Sequence, residues 1–283
     1  MKLDVASVGG IAFGVLALVA GFVLEGGKAG SLLEGTAAII VFGGTFAATF
    51  VSFSLQAMRR VPHHLSVAFH ASAYDPVALI DELCEATKAY RDPAQGFHAL
   101  EERAHRSTDR FLARGYTAIA DGQASKEEST EFRDGLETDL WAEYEALQEG
   151  ARIFGTAGGY APTMGIAGTV MGLIRVLGLL NGGAAALGAA IGLAFIATLY
   201  GVGSANLVWL PLSTNLKTKA GQTLMMRQIA LDGLLGIAAK TNPLDLRRRL
   251  LAHIEATVPA VASASAPTGS TSAKPAVIKG GRS

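Results

Sequence analysis

The amino-acid sequence predicts an all-α membrane protein with four transmembrane helices and a helical cytoplasmic insertion between the second and the third. Three observations lead to this prediction. Half of the 283 residues are hydrophobic and 17% are charged, against about 25% charged in an average soluble domain. Four long stretches carry no charge, and the basic residues gather on one side of them. The formal net charge is zero, which gives no reason to expect nucleic acid as a partner.

The four uncharged stretches are residues 5–24, 36–58, 153–174 and 176–216. About 20 apolar residues cross the roughly 30 Å hydrocarbon core, because a helix rises about 1.5 Å per residue. We therefore expect one spanning helix in each stretch, although only part of the fourth need lie in lipid. The first stretch could instead be a signal peptide, since Lys2 precedes it, but its length and Asp4 favour a retained helix.

The basic residues predict the orientation. Arg59 and Arg60 follow the second stretch, and Lys217, Lys219 and Arg227 follow the fourth. The two short connections hold one basic residue each. Since basic residues accumulate in cytoplasmic segments, we expect a multi-pass protein of the bacterial inner membrane with both termini in the cytoplasm.

The insertion has helical periodicity. Its predicted apolar faces hold Val77, Ile80, Leu83, Cys84 and Thr87 in one helix, and Phe132, Leu136, Leu140, Tyr144 and Leu147 in another. Ser125 and Glu128 have the spacing of a capping box. Most acidic residues of the chain also lie in the insertion, where they form either a solvated face or a docking surface. The three histidines after the second stretch, His63, His64 and His70, are expected to be interfacial or solvated.

These patterns divide the chain into five parts. Residues 1–58 hold the first two transmembrane helices, 59–152 the cytoplasmic helical domain, and 153–216 the other two transmembrane helices. Residues 217–257 form a cytoplasmic helical segment. Residues 258–283, rich in Ala, Ser, Thr, Pro and Gly, are expected to be a disordered tail, because this composition buries too little apolar surface to fold.

The four stretches contain no ionisable residue: Asp, Glu, His, Lys and Arg are all absent from them. A protein that carries protons across lipid normally has an ionisable intramembrane group. We therefore expect any titrating carboxylate to come from another chain.

Small residues form a stripe on each of the last two spans. Pro162, Gly165, Thr169 and Gly172 lie three or four residues apart, as do Ala194, Thr198, Gly201 and Ala205. Such stripes let membrane helices approach closely, so helix packing alone would explain them. The threonine in each stripe also allows an ion path lined by Thr169 and Thr198. Alternatively, each hydroxyl bonds the carbonyl four residues earlier in its own helix.

The segments "YAPTMGIAGTVMGLI" and "LGAAIGLAFIATLYGVGSANLVWLPLSTNLK" resemble the third and fourth helices of the MotA-type flagellar stator family. "QGFHALE" and "FLARGYTAIADG" also match, and the resemblance covers nearly all of residues 1–257. The related ExbB and TolQ proteins share the helix-pair motif but have three spans, so two hydrophobic segments before the insertion favour MotA.

The resemblance implies a homopentameric ring around a dimer of a MotB-like partner. That single-span partner would carry the missing aspartate and anchor to peptidoglycan. Proton or sodium flow would turn the ring against the rotor protein FliG and drive motility. The family has no cofactor besides the transported ion and is not enzymatic, which agrees with the absence from the sequence of a nucleophile–base pair, a phosphate loop or a metal-ligand cluster.

The resemblance also assigns roles to single residues. Pro162 and Pro211 match two prolines tied to coupling. Thr198 matches a hydroxyl near the partner's aspartate, and Thr169 stands where sodium-type members tend to have threonine and many proton-type members alanine. Glu101 matches an acidic rotor-contacting position.

The basic member of that rotor contact is missing, since Pro93 occupies its place. Arg91 or Lys88 is expected to substitute for it. Two other functions remain open at this point: an ExbB-like or TolQ-like energiser of outer-membrane processes, and a non-conducting membrane scaffold whose glycines only pack helices.

The orientation can be tested with cysteines at Gly30, Gly182 and Gln123 in a Cys84→Ser background. We expect a membrane-impermeant thiol reagent to label positions 30 and 182 from outside the cell and not position 123, because the basic residues place the insertion inside. Labelling of all three from one side would contradict the four-span topology.

Overall fold

Helices account for nearly all the regular structure of this chain. The computed structural model describes residues 3–70, 74–94, 96–124, 129–178 and 184–264. Within these ranges the β-structure consists of a single antiparallel bridge between Leu3 and His70. The helices are α1 (Val5–Leu24), α2 (Gly35–Ala38), α3 (Gly44–Ser52), α4 (Leu55–Arg59), α5 (Val61–Phe69), α6 (Pro76–Arg91), α7 (Gly96–Arg106), α8 (Arg110–Ala120), α9 (Ser129–Gly178), α10 (Ala184–Ser204), α11 (Leu210–Ala238) and α12 (Pro243–Ala264).

Short segments of other helix types join some of these elements. A 3₁₀ turn covers Ala29–Leu32, and two π-helical segments, Ile39–Gly43 and Ala205–Trp209, connect α2 to α3 and α10 to α11 without a break. The described residues therefore contain four helical runs that are long and apolar enough to cross a membrane: Val5–Leu24, Ala29–Ser52, Thr130–Gly178 and Ala190–Ala238. The predicted all-α fold with four transmembrane helices is confirmed.

The second span ends earlier than predicted. Its helix stops at Ser52, and Phe53 is extended with φ −128° and ψ 154°. The Ser54 hydroxyl oxygen then accepts a hydrogen bond from the Ala57 amide at 3.2 Å and caps the short helix α4. The expected helix over 36–58 thus breaks at a serine cap, which hydrophobicity alone did not locate.

Two long helices connect the membrane to the rest of the molecule. Helix α9 has 50 residues, which corresponds to about 75 Å at 1.5 Å per residue. The run from α10 through α11 continues past the fourth span in the same way. Helices α6 to α8, α12 and the adjoining ends of α9 and α11 form what we call the extramembrane domain.

The extramembrane domain has its own hydrophobic core, in which Ile80, Leu100, Tyr116, Leu234 and Leu250 are almost completely buried. Beyond the spans, the apolar faces of α9 and α11 pack into this core. Small residues bring the helices close. A Cβ on Gly233, for example, would lie 2.5 Å from Leu83 Cδ1.

The predicted faces of the insertion are largely confirmed. Ile80, Leu83, Cys84 and Thr87 are buried, as are Phe132, Leu136 and Leu140, while Tyr144 and Leu147 are partly buried. Val77 was assigned wrongly, because it lies in the first turn of α6 and is 47% exposed. The capping box at Ser125 and Glu128 falls outside the described residues. Helix α12 continues to Ala264, into the expected tail of 258–283, whose residues 265–283 are also outside them.

His64 is buried rather than interfacial, contrary to the sequence-based expectation. Its side chain packs beside Gly150 of α9, where a Cβ would lie 2.6 Å from the imidazole Cγ. Neither ring nitrogen has a hydrogen-bond partner within the described part of the chain. Burial, followed by the charge of the adjacent His63, lowers the pKa of His64, so the neutral form is favoured. By contrast, the neighbouring His63 is exposed, with its ring centre 5.8 Å from that of His64.

A polar cluster pins α1, α5 and α11 together just past the fourth span. The Lys219 ammonium donates to the carbonyls of Val67, Ala68 and His70 at 2.9, 2.7 and 2.7 Å, and so caps the carboxyl end of α5. Its charge lies 3.7 Å from the Asp4 carboxylate. Burial lowers the pKa of Lys219, an effect that Asp4 opposes.

A second polar cluster fixes the extramembrane domain against the long helices. The Arg227 guanidinium of α11 binds Glu143 of α9 at 2.7 Å and Asp109, the N-cap of α8, at 2.5 Å. It also lies over the Phe111 ring at 5.1 Å. Burial by itself would lower the Arg227 pKa, but the bonds to Glu143 and Asp109 outweigh burial and raise it. The cation therefore remains charged while joining three helices.

Candidate functional site

The centre of the third and fourth spans is a contact between two glycines. A Cβ on Gly201 would lie 2.6 Å from the Ala161 carbonyl oxygen and 3.0 Å from Gly165 Cα. A Cβ on Gly165 would lie 2.9 Å from the Ala197 carbonyl oxygen. Real Cβ atoms do not occupy such positions, so α9 and α10 approach backbone to backbone here. The two predicted stripes face each other within one chain.

The contact continues along both helices in each direction. Toward the start of α10, a Cβ on Gly172 would meet Ala194 Cβ at 2.7 Å. Toward its end, Ala205 is buried, and the Ser213 hydroxyl of α11 donates to the Ala151 carbonyl of α9 at 2.7 Å. Of the residues predicted to pack the helices, Gly165, Gly172, Ala194 and Gly201 lie in this contact, and Ala205 is buried beyond it.

The close approach brings the two predicted threonines together. The Thr169 and Thr198 hydroxyl oxygens are in hydrogen-bond contact. Thr169 Oγ1 also lies 2.9 Å from the Ala194 carbonyl oxygen and 3.1 Å from that of Gly165. A threonine hydroxyl has one proton to donate. One arrangement has the Thr198 hydroxyl donating to Thr169 Oγ1, and the Thr169 hydroxyl donating to one of the two carbonyls.

This arrangement combines both sequence-based alternatives for Thr169. Its hydroxyl does contact the carbonyl four residues back in its own helix, and it also contacts two groups of the facing helix. Two hydroxyls and two carbonyls supply oxygen atoms only, which are the ligands that hard cations take and the acceptors that a proton relay needs. Both threonines are partly buried, so the cluster lies at the edge of the helix pair.

The two predicted coupling prolines occupy different helical contexts. Pro162 lies inside the continuous helix α9, four residues after Gly158, whose carbonyl it cannot bond. Pro211 lies in the first turn of α11, two residues after the π-helical segment Ala205–Trp209 ends. A wider π turn accommodates a proline that lacks the N–H needed for the regular helical bond. Both prolines therefore weaken the backbone ladder next to the helix contact.

Charged residues near the spans lie at helix ends. Glu34 precedes α2, and Arg175 lies in the last turn of α9. Tyr200 of α10 makes a polar contact with the start of the second span that the sequence did not indicate. Its hydroxyl donates to the Leu32 carbonyl and accepts from the Glu34 amide at 3.0 Å.

The predicted rotor-contact residues lie on α6 and α7 of the extramembrane domain. Helix α11 has 29 residues, about 43 Å, and the Arg91 guanidinium donates to the Lys240 carbonyl just beyond its end at 3.0 Å. Lys88 is exposed one turn before Arg91. Glu101 is exposed on α7, where its carboxylate lies 3.1 Å from His98 Nδ1. All three are accessible, and two neighbouring helices carry them.

Comparison with known proteins gives consistent matches along most of the chain. Residues 103–229 match the model of the MotA/TolQ/ExbB proton channel family, and residues 8–94 match that of the motility protein A N-terminal region. Thr169, Thr198, Pro162 and Pro211 lie within the first match, whereas Glu101 lies between the two.

Individual relatives agree with these family matches. The chain is 32% identical to Motility protein A of Bacillus subtilis, covering 90% of this chain and 92% of that protein. It is 30% identical to chemotaxis protein PomA of Vibrio alginolyticus, with 83% and 88% covered.

Solved structures are similar as well. The flagellar MotAB stator complex of Bacillus subtilis matches with a TM-score of 0.79 and 30% identity, over 92% of this chain and all of that one. C. jejuni MotAB matches with a TM-score of 0.80 and 27% identity, over 88% and 95%.

The glycine contact generates a stability prediction. Gly201→Ala should destabilise the protein by about 1–3 kcal/mol, because the added Cβ forces two backbones apart. Gly221→Ala is the matched control, since a Cβ there meets nothing within 4 Å and should stabilise α11 by about 0.5–1 kcal/mol. Thermal unfolding in detergent measures both. A Gly201→Ala variant as stable as the parent protein would contradict the close contact.

Proposed function

This chain belongs to the motility protein A group of the MotA/TolQ/ExbB proton channel family, and on this premise we propose that it is the channel subunit of a flagellar stator. With a MotB-like partner it converts transmembrane ion flow into torque on the flagellar rotor. A non-enzymatic role fits a chain whose distinctive chemistry lies inside the membrane.

The observation that carries the proposal is the threonine pair in spans that contain no ionisable residue. The hydroxyls of Thr169 and Thr198 meet at the edge of the helix pair, beside two carbonyls. These groups can pass a proton or bind a cation, but they cannot titrate near neutral pH. A carboxylate is therefore required from outside the chain.

A single-span, MotB-like partner is the proposed source of that carboxylate. The two solved structures described above are MotAB complexes, which supports a partner of the same kind here. A ring of identical subunits, a homopentamer by analogy with the family, would present five threonine pairs to it. Because a repeated interface between identical subunits must close or polymerise, a closed ring is the simplest assembly.

The orientation and the rotor contact follow from the same proposal. The extramembrane domain lies in the cytoplasm, below the inner membrane, with both chain termini. Its distal end, with Glu101, Arg91 and Lys88, contacts the rotor protein FliG. Helices α9 and α11 connect this end directly to the ion path. Four spans and the match to a motility protein A N-terminal region favour this role over an ExbB-like or TolQ-like energiser.

Reconstitution in liposomes tests the proposal. The purified subunit alone should conduct neither protons nor sodium, because its spans have no titrating group. Together with the MotB-like partner it should conduct, and replacing the partner's intramembrane aspartate by asparagine should abolish the flux. Flux through the subunit alone would refute the requirement for a borrowed carboxylate. Absence of flux in the complete complex would favour the scaffold alternative.

The threonines generate a separate prediction. Thr198→Ala should lower ion flux and swimming about tenfold, the effect of losing about 1–2 kcal/mol of hydrogen bonding in the rate-limiting step. Thr169→Ala should change how swimming depends on sodium at fixed pH if sodium is the coupling ion, and should leave that dependence unchanged if protons are.

The matched control is Thr163→Ala on the same helix. Thr163 is exposed, and its hydroxyl bonds only the Tyr160 carbonyl of its own helix, at 2.7 Å, among the contacts described. Its variant should swim normally. If Thr169→Ala and Thr198→Ala also swim normally at every sodium concentration, the threonines are packing residues and the ion path lies elsewhere.

A further inference from the structure

Helix α10 lies between two neighbours, α9 and the second span. One of its faces carries Thr198 toward α9, and another carries Tyr200 toward the second span. Side chains two residues apart in an α-helix point about 160° away from each other, because each residue turns the helix by about 100°. The rotation of α10 about its own axis therefore sets the positions of Thr198 and Tyr200 together.

The Tyr200 hydroxyl joins α10 to a short non-helical stretch at the start of the second span. It donates to the Leu32 carbonyl and accepts from the Glu34 amide at 3.0 Å. Leu33, between these two residues, has φ −93° and ψ 93°, and Glu34 is extended as well. Backbone groups outside a helix need a partner where the surroundings are apolar. One hydroxyl supplies a partner for two of them.

Apolar contacts accompany these hydrogen bonds. Ala197 of α10 packs with Ala37 and Val41 of the second span, and the Tyr200 ring lies with its centre 5.9 Å from that of Phe42. Apolar contacts have no preferred direction, whereas hydrogen bonds do. Within the described residues, the side-chain hydrogen bonds between α10 and the second span are the two that Tyr200 makes. The hydroxyl is therefore the group that fixes the rotation of α10 against the second span.

The opposite face of α10 depends on this rotation. There the Thr198 hydroxyl contacts that of Thr169, and the neighbouring contact between Gly165 and Gly201 has no side chains that could interlock. A turn of α10 by about 20° would move a hydroxyl about 4 Å from the helix axis by roughly 1.4 Å. Such a displacement is enough to break a hydrogen bond.

We propose that Tyr200 is a positioning residue for the ion path. By holding the start of the second span, its hydroxyl sets the rotation of α10 that brings Thr198 to Thr169. The inference rests on the proposed stator function and deepens it, because it assigns a part in ion passage to a residue outside both small-residue stripes. Tyr200 acts on ion flux through Thr198 and not by a contact of its own with the ion.

Cross-linking in membranes tests the positioning without any partner. The full chain carries Thr169→Cys and Thr198→Cys in a Cys84→Ser background. Mild oxidation should join the two cysteines rapidly, because the hydroxyls that they replace are in contact. Adding Tyr200→Phe removes the hydroxyl and keeps the ring, and should slow the cross-linking about tenfold. An unchanged rate would overturn the proposal.

Ion flux of the complete complex in liposomes shows whether Tyr200 acts through Thr198. Tyr200→Phe alone should lower the flux about five- to tenfold. In a Thr198→Ala background the same change should lower it by less than about twofold further, since only independent sites multiply their effects. Normal flux in Tyr200→Phe, or multiplied effects in the double variant, would each refute the inference. A parent complex without flux would refute the stator function, whereas the cross-linking rate would still decide the positioning.

Tyr160→Phe is the matched control. The Tyr160 hydroxyl of α9 shares a hydrogen bond with the Ser52 hydroxyl at the other end of the second span, at 2.9 Å. This variant removes the same kind of bond to the second span but leaves the contacts of α10 in place. Its cross-linking rate and flux should equal those of the parent protein. Equal losses in the two tyrosine variants would count against the proposal, because they would indicate a general loosening of the second span.

Discussion

The rest of this structure depends on the contact between Gly165 of α9 and Gly201 of α10. Lipid tails are as apolar as leucine, so helices in a bilayer gain little from hiding apolar side chains and associate through close packing and interhelical hydrogen bonds. The glycine pair provides the close packing. It also brings the hydroxyls of Thr169 and Thr198 close enough to form an interhelical hydrogen bond. A larger residue at either glycine would separate the helices and the threonines together. The helix packing and the contact between the two hydroxyls therefore both result from the close approach of α9 and α10.

The same two helices also connect the spans to the extramembrane domain. Since α9 and the α10–α11 run pass from the spans into the extramembrane domain without a break, continuous helix connects the threonine pair to the distal end. Arg227 joins both long helices to the start of α8, and Lys219 joins α11 to α1 and α5. These buried and half-buried cations make the connections stiff. Pro162 and Pro211 are the places in the long helices where the backbone ladder is interrupted, so bending would concentrate there.

Spans without ionisable residues make the chain dependent on another protein. Placing a charge in the bilayer centre is costly, and in the stator that we propose this cost falls on the partner that supplies the carboxylate. The extramembrane domain has the opposite character, since it carries most of the acidic residues of the chain and many exposed charges.

Much of this could be predicted from the sequence, because hydrophobic length, basic-residue placement and small-residue spacing are local properties of a chain in a bilayer. They determined the four spans, the helical insertion and the two stripes that carry Thr169 and Thr198. Only the tertiary structure decided which groups meet across the chain. Asp4 lies by Lys219, His64 lies beside Gly150, and Tyr90 lies beneath Lys240. Partners more than 60 residues apart leave no periodic signal, since their contact depends on the relative rotation and depth of whole helices, which packing determines.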